Sequence, residues 1–195
     1  VDLSAGAENV TLLKPVGEEG AYYATYGWAA LSGVTSNLVP TPDTLWEVNG
    51  NNRLTVSSPV ELVWDNGAGL KFSRVISIDE DYLFTVKQNV ENTSTADVEL
   101  RPYGLIRRAG EPKDVKNFFI LHEGLVRMSD GELAEDSYKN MRGYDTNERE
   151  GTAAKRIEVT TNGWVGFTDH FWMTTLIPTP GSAFRSTAKY YEQAD

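Results

Sequence analysis

From Pro59 to Leu100, apolar and polar residues alternate in short segments separated by turn-forming residues. That is the pattern of strands with one face buried. Val60, Leu62 and Trp64 share one parity and run into Asp65-Asn66-Gly67-Ala68-Gly69, whose glycines tolerate the positive φ of a hairpin loop. Leu70, Phe72, Ile76 and Ile78 then point one way and Lys71, Ser73, Ser77 and Asp79 the other, with Arg74 interrupting the apolar face. After Asp79-Glu80-Asp81 the alternation resumes through Tyr82, Phe84, Val86 and Val90, opposite Thr85, Lys87, Asn89 and Glu91. Asn92 to Asp97 forms a further turn before Val98 and Leu100. The spacing predicts a β-meander.

Upstream, Thr44 to Val48 and Arg53 to Val56 flank Asn49-Gly50-Asn51-Asn52, a hairpin signal of the Asn-Gly type. Downstream, Phe118 to Met128, Ile157 to Val159 and Trp164 to Ile177 are rich in β-branched and aromatic residues and read as strands. Pro178 and Pro180 close the last of these runs. Gly131 to Met141 is the one helical candidate, with Ala134, Tyr138 and Met141 at helical spacing, and it predicts a turn or two at most. Thr146 to Ala154 is polar and aperiodic and reads as a mobile loop. Many strands without alternating helices exclude a parallel sheet. The expected fold class is therefore an all-β, mainly antiparallel sandwich with at most one or two short helices. No repeat or linker divides the chain, so residues 1–195 are expected to form a single domain.

Composition narrows the function. A formal charge of −10 repels nucleic acid and anionic headgroups. Arg101, Arg107 and Arg108 do gather in sequence, but as a solvated strand end they carry no assigned function. The absence of cysteine excludes disulfides, thiolate nucleophiles and Cys-ligated metals. No run approaches the roughly 20 apolar residues needed to cross a bilayer, and the N-terminus lacks a signal-peptide pattern. The segment is expected to be soluble, whatever it is attached to.

Chemistry has few footholds. His122 precedes Glu123, and Asp169 precedes His170, which are the raw materials of a general acid–base pair. Strand neighbours point to opposite faces, however, so neither dipeptide makes a dyad by itself. Asp79-Glu80-Asp81 is too short to supply the six to eight oxygen ligands of a calcium loop and reads as a charged hairpin tip. No nucleophile elbow, phosphate loop or zinc helix is present. Asn9-Val10-Thr11 and Asn92-Thr93-Ser94 match the glycosylation sequon but read as chance matches. Trp28, Trp46, Trp64, Trp164 and Trp172 could form a sugar platform, although indoles of a sandwich are mostly core. No catalytic, cofactor-binding or metal-binding residue is assigned.

Several stretches resemble one family. They are Gly20-Ala21-Tyr22-Tyr23-Ala24-Thr25-Tyr26-Gly27-Trp28, Pro59-Val60-Glu61-Leu62-Val63-Trp64-Asp65-Asn66-Gly67 and Phe119-Ile120-Leu121-His122-Glu123-Gly124. Asp130-Gly131-Glu132-Leu133, Gly163 through Trp172 and Thr175-Leu176-Ile177-Pro178 continue the series. In this order the chain resembles the periplasmic domain of YidC-type bacterial membrane protein insertases, with the look of the α-proteobacterial branch.

The resemblance implies an antiparallel β-supersandwich similar to galactose mutarotases. It also implies a location in the periplasm of Gram-negative bacteria, as part of a multi-pass inner-membrane protein. On this reading the chain is a fragment lacking the opening and closing strands and the membrane parts, and its sheet edges should be paired or frayed. The implied role is accessory and non-enzymatic: assisting insertion and folding of inner-membrane proteins through contacts with the Sec translocon, its auxiliary subunits and emerging clients. Such contacts need a sheet edge or concave face, and the Asn117 to Gly163 region is the expected partner surface. The alternatives are a carbohydrate-binding module, which needs exposed indoles, and a mutarotase-like sugar isomerase, which needs an acid and a base across a cleft.

Overall fold

Period-two alternation becomes an antiparallel ladder wherever a turn brings two such segments face to face, and the computed structural model describes residues 11–112, 121–169 and 171–192. The strands in the first part of the chain are β1 (Tyr22–Ser32), β2 (Glu47–Asn49), β3 (Val60–Asp65), β4 (Leu70–Ile78), β5 (Phe84–Asn92) and β6 (Glu99–Arg108). Next come β7 (Gly124–Ser129), β8 (Glu132–Ser137), the helix α1 (Tyr138–Arg142) and β9 (Thr146–Asn147). The last are β10 (Thr152–Val159), β11 (Gly163–Thr168), β12 (Met173–Leu176) and β13 (Phe184–Tyr190). One turn of 3₁₀ helix spans Ser36–Leu38. Contacts divide the chain into two units, Tyr26–Gly104 and the combination of Val1–Thr25 with Leu105–Asp195. The chain passes from one unit to the other within β1 and again within β6.

The Tyr26–Gly104 unit contains a sheet in the order β2-β3-β4-β5 with every pair antiparallel. Its register aligns Trp64, Phe72 and Val90 in one row and Leu62, Arg74 and Gln88 in the next. Phe72 has no exposed surface and anchors a core with Trp28, Val39 and Leu70. The Trp28 ring meets it edge-on at 5.1 Å, and Trp64 lies 5.6 Å away. Full burial of an aromatic side chain contributes about 1.5–3 kcal/mol.

Arg74, which breaks the apolar alternation, earns its place through the backbone of β1. Its Nη2 donates to the Tyr26 carbonyl at 2.6 Å, and its guanidinium lies 4.9 Å from the Trp46 ring centroid. Gln88, its register neighbour, donates to the Gly27 carbonyl at 2.9 Å. Two β1 carbonyls are thereby satisfied by side chains rising from the sheet.

The meander departs from expectation at three points. The Arg53 to Val56 stretch makes one isolated bridge, Thr55 to Ser58, and β2 pairs with β3 instead. The Asn51 side chain explains this: it donates to the Arg53 and Pro59 carbonyls and accepts the Arg53 amide, carrying the chain round a wide loop. Tyr82 belongs to the turn, with φ of 63°. Strand β6, which holds Leu100, pairs with β1 and not with β5.

The other unit holds a sheet in the order β12-β11-β7-β8 and another in the order β13-β10-β9, all antiparallel. Leu125, Tyr138, Met141 and Ala188 form its buried core, with Val165 and Phe167 packed on them. The helix has the expected length of a turn or two, but it begins at Tyr138 and not near Gly131. Residues 132–137 are β8, because Asp130 and Gly131 both take positive φ (49° and 95°) and close a tight hairpin with β7. Only Tyr138–Arg142 is helical, capped by the Ser137 hydroxyl accepting the Asn140 amide.

The expected loop from Thr146 to Ala154 is likewise a hairpin of β9 and β10. Asn147 accepts the Glu150 and Gly151 amides at its carbonyl, and Gly151 takes φ of 66°. Beyond Pro180, β13 pairs with β10 over its whole length, a strand the apolar pattern did not announce. The all-β antiparallel class with short helices stands.

Candidate functional site

Four side chains far apart in sequence meet in the second unit. Tyr22 opens β1, Arg108 ends β6, Asp169 follows β11 and Tyr138 begins α1. The Arg108 guanidinium forms an ion pair with one oxygen of Asp169, and the Tyr138 hydroxyl donates to the other at 3.0 Å. Arg108 also lies over the Tyr22 ring, 4.7 Å from its centroid, while the Tyr138 ring stacks on Phe167 at 6.2 Å. Burial, then the negative charge of Asp169, pushes the Tyr138 phenol well above its ordinary range. Burial likewise raises Tyr22. Burial works against the Arg108 charge, but the hydrogen bond to Asp169 and the electrostatic attraction of Tyr138, Asp169 and Tyr22 together outweigh it and leave its pKa above the ordinary value.

With both carboxylate oxygens occupied, Asp169 is engaged as an acceptor and poorly placed to remove a proton from a substrate. The arrangement fastens four segments together. It gives Arg108 a role the sequence did not, whereas Arg107 rests over the Tyr191 ring at 5.8 Å and Arg101 is exposed.

Two more charge clusters serve the same unit. Asp136 accepts from Tyr144 at 2.8 Å, from Lys155 at 3.2 Å and from the buried Arg127 at 3.3 Å. Burial opposes its charge, yet the Tyr144 and Lys155 bonds hold its carboxyl below the usual range. Asp130 takes the amides of Thr160, Thr161 and Asn162 and the hydroxyls of both threonines, led by the Thr160 amide, and its pKa falls far below normal. The turn of one hairpin is thereby tied to the β10–β11 connection.

Among the sequence candidates, His122 places Nε2 2.8 Å from the Leu125 carbonyl. A carbonyl only accepts, so this nitrogen carries the proton and is unavailable as a base. His170 lies outside the described residues, as do Asn9 and residues 117–120 of the expected partner surface. Asp79 spends one carboxylate oxygen on the amides of Asp81 and Leu83, both at 2.9 Å. Among the described residues, no three His, Asp or Glu side chains are placed to hold a metal ion. Asn92 shapes its own turn, accepting from Ser94 and donating to the Ala96 carbonyl.

Trp28, Trp46 and Trp64 line the core, and Trp172 is the exposed indole of the second unit. A hollow of about 370 Å³ lies on the polar face of the β2–β5 sheet, lined by Asn49, Glu61, Lys71 and Asn89. A second, of about 530 Å³, is lined by Trp28, Val90, Leu100 and Pro102. Trp28 itself is almost wholly covered. Neither hollow presents an indole face to a sugar.

Comparison with known proteins gives a consistent answer. A family model described as the YidC periplasmic domain matches residues 2–194. The membrane protein insertase YidC of Roseobacter denitrificans is 55% identical over 97% of this chain and 31% of its own length. Its counterpart in a Ruegeria species is 54% identical over 95% of this chain and 31% of its own length. That of Dinoroseobacter shibae is 53% identical over 95% of this chain and 30% of its own length. The chain thus spans about a third of the length of the curated relatives it matches. No solved structure matches it.

Proposed function

The chain belongs to the YidC periplasmic-domain family, and on that premise we propose that it is the accessory periplasmic part of an inner-membrane insertase, assisting insertion and folding of membrane proteins through protein–protein contacts. The observation that carries this is identity of 55% across 97% of the chain with a protein named for insertion and not for a chemical conversion. The absence of an enzymatic role is part of the proposal, and the occupied oxygens of Asp169 and the committed Nε2 of His122 support it. So is the single-domain reading of residues 1–195, supported by a family match that runs unbroken through both units. The supersandwich likeness to galactose mutarotases stays with the same proposal.

The partners we assign are the Sec translocon, its auxiliary subunits and emerging clients. Within the Asn117 to Gly163 surface, β8 is the outer strand of its sheet, and Leu133 on it is exposed. An outer strand offers main-chain groups to an extended partner. Photo-crosslinkers placed along β8, β9 and β10 of the full-length insertase, with controls on the β2–β5 sheet, test this in cells. Cross-links to translocon subunits or clients concentrated on β8–β10 are expected. Contacts confined to other surfaces would retire the surface, and measurable aldose interconversion would return the isomerase reading.

A further inference from the structure

The turn between β4 and β5, together with the first residue of β5, places three consecutive large apolar side chains in solvent: Tyr82 is 82%, Leu83 54% and Phe84 50% exposed. Single exposed apolar residues are ordinary, but turns are normally built from Gly, Asn, Asp or Pro. Tyr82 holds φ of 63°, a conformation that glycine or asparagine adopts at lower cost and that a bulky ring adopts rarely.

The tip is also held in shape. Asp79 accepts the Asp81 and Leu83 amides through its side chain, its carbonyl accepts the Tyr82 amide, and its own amide donates to the Leu83 carbonyl. A backbone already fixed in place loses little conformational freedom on binding. Phe84 pairs with Ile78, and the half-buried Val86, Ile76 and Val60 follow in the next row, so the apolar strip continues from the tip along one face of the sheet.

Charge selects the occupant. Asp79, Glu80 and Asp81 adjoin the apolar triplet in a chain of net charge −10, which repels anionic headgroups and attracts lysine and arginine. We propose that the Asp79–Phe84 tip docks polypeptide in which apolar side chains stand beside lysine or arginine. This deepens the protein-contact reading given above and rests on it.

The test uses the 195-residue chain and two fluorescein-labelled synthetic peptides, one alternating leucine with lysine and one alternating leucine with glutamate. Fluorescence anisotropy should show binding of the leucine–lysine peptide that weakens with salt. Leu83→Ser combined with Phe84→Ser should weaken it on the order of tenfold or more, while Leu45→Ser and Val56→Ser, at exposed apolar sites elsewhere in the same unit, should not. Glu80→Lys with Asp81→Lys should shift preference toward the leucine–glutamate peptide, a result that misfolding would not give. Equal binding by the tip variants overturns the proposal. So does a tip-dependent association with phosphatidylglycerol vesicles that exceeds peptide binding. The two readings fail separately: peptide docking with no insertion partner cross-linked anywhere removes the functional proposal alone, and partner cross-links with no peptide docking remove the tip alone.

Discussion

Replacing Asp169 by asparagine keeps the shape of the side chain and removes its charge. The Arg108 guanidinium, whose side chain is 18% exposed against 14% for Asp169, then loses its counter-charge and faces an amide whose single oxygen can replace only one of the two acceptors that met Arg108 and Tyr138. A charge-assisted hydrogen bond contributes about 1.5–3 kcal/mol, and removing one partner of a buried pair costs about 3–5 kcal/mol. Residual exposure softens the second figure, so Asp169→Asn should destabilise its unit by about 2–4 kcal/mol. At roughly 2–4 °C per kcal/mol for chains of this size, its melting transition should fall by about 5–15 °C. Hydrogen exchange read by mass spectrometry assigns the loss, since protection should fall in β7, β11 and α1 and persist in β3–β5. Adding Arg108→Met to Asp169→Asn should cost much less than Arg108→Met alone. Additive costs, or a loss from Asp169→Asn below about 0.5 kcal/mol, would refute the coupling.

Three further outcomes follow from the same structure. Asp130, led by its bond from the Thr160 amide, and Glu150, led by its bond from Lys189, have carboxyl pKa values below their ordinary 3.8 and 4.5. Their contribution is present above those values and lost as pH falls below them, so acid unfolding should begin there, and Asp130→Asn should flatten the acid limb of a urea-melt series. Tyr22, Tyr138 and Tyr144 are raised above the ordinary 10.0, chiefly by burial. Stability they confer is present below pH 10 and lost as pH rises further, so tyrosinate absorbance should include a component that appears together with unfolding, and a simple titration of every tyrosine near 10 would contradict this. Phe72→Ala should destabilise the Tyr26–Gly104 unit by about 3–5 kcal/mol in denaturant titration, whereas a change under 1 kcal/mol would mean the Trp28–Phe72–Trp64 cluster is not its anchor.

Strands β3, β4 and β5 were legible because each buries one face against large side chains, which writes a two-residue period into the sequence. Strand β13 buries Ser186 and Ala188, residues too small or polar to register, so its pairing with β10 left no apolar trace. Tyr138 and Met141 do share a helical face, but Asp130-Gly131 upstream is a hairpin signal, and the seven-residue stretch before the helix obeys the turn. The Tyr22–Arg108–Asp169–Tyr138 cluster joins residues separated by 31 or 61 positions in its direct bonds. No local spacing encodes such a meeting. The one available hint was a charged residue at each of two strand ends, which is also what a solvated end looks like.

The division of the chain has a bearing on how it is made. Residues 26–104 form one uninterrupted stretch, while the other unit is assembled from segments on either side of it. During synthesis and export, N-terminal end first, the inner stretch is therefore complete while the outer unit still lacks most of its strands. Ala21 must wait for Ala109, and Tyr22 for Arg108, before the start of the first strand finds its partners. Maturation is thus ordered, with the uninterrupted sheet free to form early and the unit made of two segments forming only after its second segment has arrived.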